Sequence, residues 1–122
     1  MLEGSSITIL DKWGRVRIPV RFFRIIEEKH GRDVFVTSVD DENVQIYPLA
    51  ELGKFASRIC SRIKEDPKAR RLALRINRLG IKTEIDRYGI LMIHKFLRDK
   101  ISLGSKVVVE GMEDHLILKQ AS

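Results

Sequence analysis

Apolar and polar residues alternate loosely from Ser6 to Leu10 and strictly in "RVRI" at 15–18. Both stretches predict half-buried strands, the second with Val16 and Ile18 turned inward. The intervening "DKWG" suits a type I turn, in which an oxygen of the leading Asp accepts from nearby amides and Gly closes the turn. Pro19 then opens a helix, because the N–H it lacks would be unpaired in a first turn anyway. Phe22, Ile25, Ile26 and Lys29 follow at helical spacing, and Gly31 supplies the stop. "DVFVTSV" and "VQIY", joined by the polar "DDEN", predict the next pair of strands.

The period lengthens in the middle of the chain. Leu52, Phe55, Ile59 and Ile63 mark one apolar helix face; Ala69, Leu72, Ile76 and Leu79 mark another. Pro67 ends the first helix and opens the second, with Asp66 placed to cap it and Gly80 to close it. The pair reads as a helical hairpin.

Beyond Gly80 the first pattern returns as "KTEI", "DRYG", "ILMI", "HKFLRDKISLG", "KVVVE" and "LILK". At an offset of 75, Asp11, Gly14, Ile18 and Phe22 match Asp86, Gly89, Ile93 and Leu97. After a two-residue shortening of the helix, Val34 and Phe35 match Val107 and Val108. A lone copy of this unit could hardly bury its own apolar face. The chain is therefore expected to adopt an α+β fold of two tandem repeats, 5–53 and 81–122, sharing one core about a pseudo-twofold axis. Residues 54–80 form the helical connector.

Charge narrows the function. The 122 residues carry a net charge of +6. Nine basic residues against two acidic ones lie between Lys54 and Arg78, so the rest of the chain is about neutral. Four arginines, Arg15, Arg17, Arg21 and Arg24, follow the first turn closely. Such clustering favours a polyanion such as nucleic acid. No apolar run approaches the roughly 20 residues of a membrane span, and the first ten residues do not read as a signal peptide. The single Cys60 builds neither a disulfide framework nor a zinc set, which fits a reducing cytosol and a residue in or near a helix core. His30, His94 and His115 have no metal-ligand spacing, and no phosphate-cradling glycine loop is present. An enzyme is not expected, nor any cofactor, metal or small-molecule substrate.

The ordered set "DKWGRVRIP", "YPLAEL", "ARRLALRINRLG", "DRYGILMI" and "VVVEGMEDHLIL" resembles the MraZ family, built from tandem SpoVT/AbrB-type repeats, over nearly all of residues 5–119. The resemblance implies a bacterial, cytoplasmic and nucleoid-associated transcriptional regulator that binds double-stranded DNA. It also implies assembly into a ring-like homo-oligomer and DNA contacts on the Asp–Gly–Arg turns. Asp11, Gly14, Asp86 and Gly89 would then be turn scaffold. Arg15 could reach a groove and fork onto guanine O6 and N7 or onto phosphate oxygens, and Arg17 shares its strand face. Lys12, Arg21 and Arg24 would hold phosphates.

Three positions depart from the family pattern. Trp13 stands where the family usually has Lys, Ile90 where the second turn has Arg, and Phe23 where the first helix is often basic. The second turn is therefore expected to have lost DNA contacts. For Trp13, stacking on a sugar or base and covering a subunit contact both stay open. The middle arginines could meet DNA backbone or acids of a neighbouring subunit. The alternative to a regulator is a SpoVT/AbrB-like antitoxin, or an assembly protein without specific DNA readout.

Overall fold

The computed structural model describes residues 2–54, 57 and 65–121. Its elements are β1 (Ser5–Ile9), β2 (Arg15–Arg17), α1 (Val20–His30), β3 (Asp33–Thr37), β4 (Val44–Pro48), α2 (Pro67–Leu79), β5 (Ile81–Glu84), β6 (Ile90–Met92), α3 (Lys95–Lys100), β7 (Lys106–Gly111) and β8 (Leu116–Gln120). Residues 49–54 are also helical. The mixed α and β content and the antiparallel strands agree with the fold class read from the sequence.

Six strands form one antiparallel sheet in the order β1-β7-β8-β4-β3-β5, and β2 pairs with β6 in a separate two-stranded ribbon. The strand β1 pairs with β7, far along the chain, and β5 pairs back with β3. Thr8 faces Val107 and Ile9 faces Lys106, just as Thr83 faces Val34 and Glu84 faces Asp33. Among the described residues, β1 pairs only with β7 and β5 only with β3, so both are edge strands of the sheet.

Period-two alternation sets the core. Val34, Val36, Val44, Ile46, Val107, Val109, Leu116 and Leu118 lie on the inner face of the sheet, all without exposed surface. Val16, Ile18, Leu91 and Ile93 from the ribbon and its ends close over them, joined by Phe22 and Ile26 of α1 and Leu97 of α3. Burying one such side chain contributes roughly 1.5–3 kcal/mol.

The second connector helix forms as expected. Asp66 caps it by accepting from the Lys68 amide at 2.9 Å, and Ala69, Ile76 and Leu79 are buried. Thr37 Oγ1 donates to the Ile76 carbonyl at 3.3 Å, and Gly80 lies against Phe35. Phe35 and Thr37 alternate with the inward Val34 and Val36. The helix α2 therefore lies against the outer face of β3, across the sheet from the ribbon. Of the first connector helix, Phe55, Ile59, Cys60 and Ile63 lie outside the described residues.

One boundary differs from expectation. Pro19 is the N-cap of α1 rather than its first helical residue, with φ −50° and ψ 136°. Ile18 is held extended by its N–H bond to the Gly89 carbonyl at 2.8 Å, and a residue before proline disfavours helical backbone. The turn into helix therefore comes at Val20.

Candidate nucleic-acid interface

Both turns have the same backbone. In the first, Asp11 Oδ1 accepts from the amides of Trp13 at 3.0 Å and Arg15 at 2.8 Å. In the second, Asp86 Oδ1 accepts from Tyr88 at 2.8 Å and Ile90 at 2.9 Å. Gly14 and Gly89 close the turns at φ +91° and +83°, a region that side chains other than glycine rarely enter. In each turn the Asp carboxylate and the Gly backbone together hold the reversal of the chain.

The ribbon places the turns at its opposite ends. Arg15 faces Met92 and Arg17 faces Ile90, while the Ile93 amide bonds the Gly14 carbonyl at 2.7 Å. Because Val16 and Leu91 point into the core, Arg15, Arg17, Ile90 and Met92 share the outward face. Cations therefore meet apolar side chains across this ribbon.

Arg15 is exposed, and its Nε donates to Asp11 Oδ2 at 3.0 Å. This pair lies in water, so it aims the side chain more than it stabilises the fold. Among the described residues, neither Nη group of Arg15 has a partner, leaving its fork open. The Arg15 amide, helped by its guanidinium and the Trp13 amide, holds the Asp11 carboxyl below the ordinary value of 3.8 against a smaller desolvation effect. The support Asp11 gives the turn is complete above 3.8 and is lost as pH falls through the lowered folded value. Lys12 Nζ and Arg15 Cζ lie 4.6 and 5.2 Å from the Trp13 ring centroid. Trp13 is 58% exposed, so the two cations lie over an aromatic ring open to solvent.

Arg17 reaches the other turn, donating from Nη1 to the Tyr88 carbonyl at 2.7 Å. Arg21 is not drawn to the first turn: its Nη2 donates to the Ser5 carbonyl at 2.8 Å and Ser6 Oγ at 3.1 Å on β1. Arg24 is exposed on the same helix, without a partner among the described residues. The helix α1 lies by the second turn, where a Cβ on Gly89 would sit 3.4 Å from the Phe23 ring. Against the first turn lies α3, through Arg98.

The sequence reading missed Arg98. Its Nε donates to the Ile93 carbonyl at 2.9 Å and its Nη1 to the Lys12 carbonyl at 3.3 Å. The available signal was the offset of 75, which makes Arg98 the counterpart of Phe23. Among the described residues, no group of three or more His, Cys, Asp or Glu side chains could hold a metal, and no helix is long and apolar enough to cross a membrane.

A transcriptional regulator MraZ from Acidobacterium capsulatum is 32% identical over 116 residues, covering 95% of this chain and 80% of that protein. The chain belongs to the MraZ family. The MraZ regulator of Koribacter versatilis is 29% identical over 122 residues, covering 99% of this chain and 83% of that protein. That of Pseudoalteromonas translucida is 25% identical over 113 residues, covering 92% and 74%. No protein-family model matches the chain. Within this MraZ chain, the two turns keep one backbone and differ in what they present: Lys12, Trp13 and Arg15 on one, Arg87, Tyr88 and Ile90 on the other.

Proposed function

We propose that this chain is a sequence-specific transcriptional regulator that grips double-stranded DNA with the first turn of the ribbon, acting as a ring-like homo-oligomer. One observation carries the DNA assignment. Arg15 stands on a carboxylate-fixed turn, both Nη groups without a partner among the described residues, beside Lys12 and Arg17 on the same outward surface. A preset fork is what recognition of a guanine edge needs. Lys12, Arg17, Arg21 and Arg24 supply cations for phosphates on either side. Membership of a family whose relatives are named transcriptional regulators supports the same reading. The protein then acts in the cytoplasm at the nucleoid and performs no catalytic step.

The architecture we propose is two tandem repeats, 5–53 and 81–122, about a pseudo-twofold axis, joined by the connector 54–80. Exchanging β1 with β5, β3 with β7 and β4 with β8 turns the strand order β1-β7-β8-β4-β3-β5 into its own reverse. The same exchange maps Val16 onto its ribbon partner Leu91 and Gln45 onto its partner Ile117. Self-association is supported by the open sheet edges and by Ile7 and Ile9, 65% and 58% exposed on edge strand β1. Several subunits would also multiply weak single-site contacts through effective concentration.

The test is selection of bound duplexes from a random pool, followed by titration of the recovered site at several salt concentrations. A recurring motif is expected, with a log–log salt slope of several units at about −0.9 per phosphate contact. Recovery of no motif would overturn sequence-specific binding and favour an assembly role.

A further inference from the structure

We propose that Arg98 is a positioning residue that sets the direction of the DNA-facing first turn from beneath, without touching DNA itself. The proposal rests on the DNA-binding reading for its consequence but on geometry alone for its mechanism. The guanidinium of Arg98 is only partly exposed and occupies the space under Gly14. A Cβ at Gly14 would stand 2.5 Å from Arg98 Nε and 2.9 Å from its Cζ. From there Nε donates to Ile93 O and Nη1 to Lys12 O, at 2.9 and 3.3 Å. Ile93 in turn donates its amide to Gly14 O at 2.7 Å. One planar head thus ties the end of β6 to the tip of the first turn. Among the described residues, the Lys12 carbonyl accepts no backbone N–H, so Arg98 is its only partner there.

The second turn lacks this clamp. Beneath Gly89 lies the Phe23 ring, with Cδ2 and Cγ 3.4 and 3.6 Å from where a Cβ would be, a contact without direction. Its carbonyl partner is Arg17, from the ribbon itself. The helix-borne polar clamp therefore supports the turn that presents Lys12, Trp13 and Arg15. An apolar cushion supports the turn that presents Ile90. Lysine could not replace Arg98, because a single Nζ cannot reproduce two donors in a fixed plane.

Trp13, the single tryptophan, sits on this turn and reports on it. Arg98→Lys and Arg98→Met would be compared with wild type by Trp13 anisotropy and iodide quenching without DNA, by thermal melting, and by titration of a selected and a scrambled duplex. Phe23→Met serves as the control under the other turn. Both Arg98 variants should melt cooperatively, with lower Trp13 anisotropy and altered quenching, while Phe23→Met leaves Trp13 unchanged. The ratio of selected to scrambled affinity should fall about tenfold in both, with lysine giving no rescue. If Arg98→Lys binds like wild type and Arg98→Met loses about one unit of salt slope, Arg98 is a direct phosphate contact and the proposal fails. Unchanged Trp13 signals in both variants would also overturn it. Should Arg98→Met not fold, Arg98→Lys alone decides between these outcomes. If wild type binds no duplex, the DNA reading falls while the Trp13 signals still decide the clamp.

Discussion

The two turns of the ribbon differ by almost nothing in backbone and chiefly by one side chain, Arg15 against Ile90. The amide-to-Asp bonds agree within 0.2 Å between the turns, judged by 3.0 against 2.8 Å and 2.8 against 2.9 Å. Both turns show an exposed aromatic ring beside a cation, Trp13 with Lys12 and Arg15 on the first and Tyr88 with Arg87 at 4.9 Å on the second. The first alone adds a guanidinium fork aimed by its own turn carboxylate, where the second has Ile90. A glycine, a carboxylate and two amides are enough to build the turn, and they leave the exposed positions chemically free. Scaffold and chemistry are therefore separable here, and substitutions can address each in turn.

The largest difference should come from the glycines. Alanine at Gly89 meets the Phe23 ring at 3.4 Å and the Ile18 carbonyl at 3.6 Å, both ordinary contacts, so its cost is mainly the positive φ, about 1–2 kcal/mol. Alanine at Gly14 carries that same strain and also meets the Ile93 carbonyl at 2.5 Å, a backbone atom fixed in the core ribbon. Gly14→Ala should therefore cost at least about twice as much as Gly89→Ala, measured by denaturant unfolding. Equal costs would mean that the packing under the two turns does not differ as described.

The alternation of "RVRI", the Asp–Gly turns and the cap at Asp66 were legible in the sequence because each is local: a period, a φ requirement, a side chain within three residues of its partner. Family membership was legible in the order of these local signals. The crossing of the ribbon was not. It places α1 by the second turn and α3 by the first, and it depends on which distant strand β2 pairs with, about which a two-residue period says nothing. For the same reason Arg21 read as a neighbour of Arg15, whereas its head is tied to Ser5 and Ser6 on β1. Arg98 drew no reading at all, because its two acceptors are backbone carbonyls, one of them 86 positions away. Carbonyls carry no sequence signature.

A second contrast lies in the fork itself. Arg15→Ala should reduce discrimination between a selected and a scrambled duplex by roughly 1–3 kcal/mol, with little change in melting. Ile90→Ala should leave discrimination unchanged. The sharper variant is Ile90→Arg. Asp86 Oδ1 takes the two turn amides, as Asp11 Oδ1 does, and among the described residues Asp86 Oδ2 is free to aim a new guanidinium. An added contact should raise affinity and steepen the salt slope by about 0.9. If Ile90→Ala costs as much discrimination as Arg15→Ala, the first turn is not the reading surface.

The smallest effect should come from the most basic helix. Lys68, Arg71, Arg75 and Arg78 recur at helical spacing on α2, and among the described residues only Arg75 is ion-paired, with Asp41. On charge alone this stripe would be the stronger site for a polyanion. Position argues otherwise: α2 packs against the outer face of β3, while Arg15 and Arg17 point outward from the ribbon on the far side of the core. A short duplex seated on the ribbon cannot also lie along the α2 of the same subunit. Lys68→Ala and Arg71→Ala should therefore change the affinity for a duplex of about one helical turn less than twofold and leave its salt slope unaltered. Loss of about one slope unit per substitution would show that phosphates do reach this helix. Loss confined to long duplexes would place those phosphates on a neighbouring subunit's α2. Either result would move the comparison from two turns of one ribbon to two faces of the molecule.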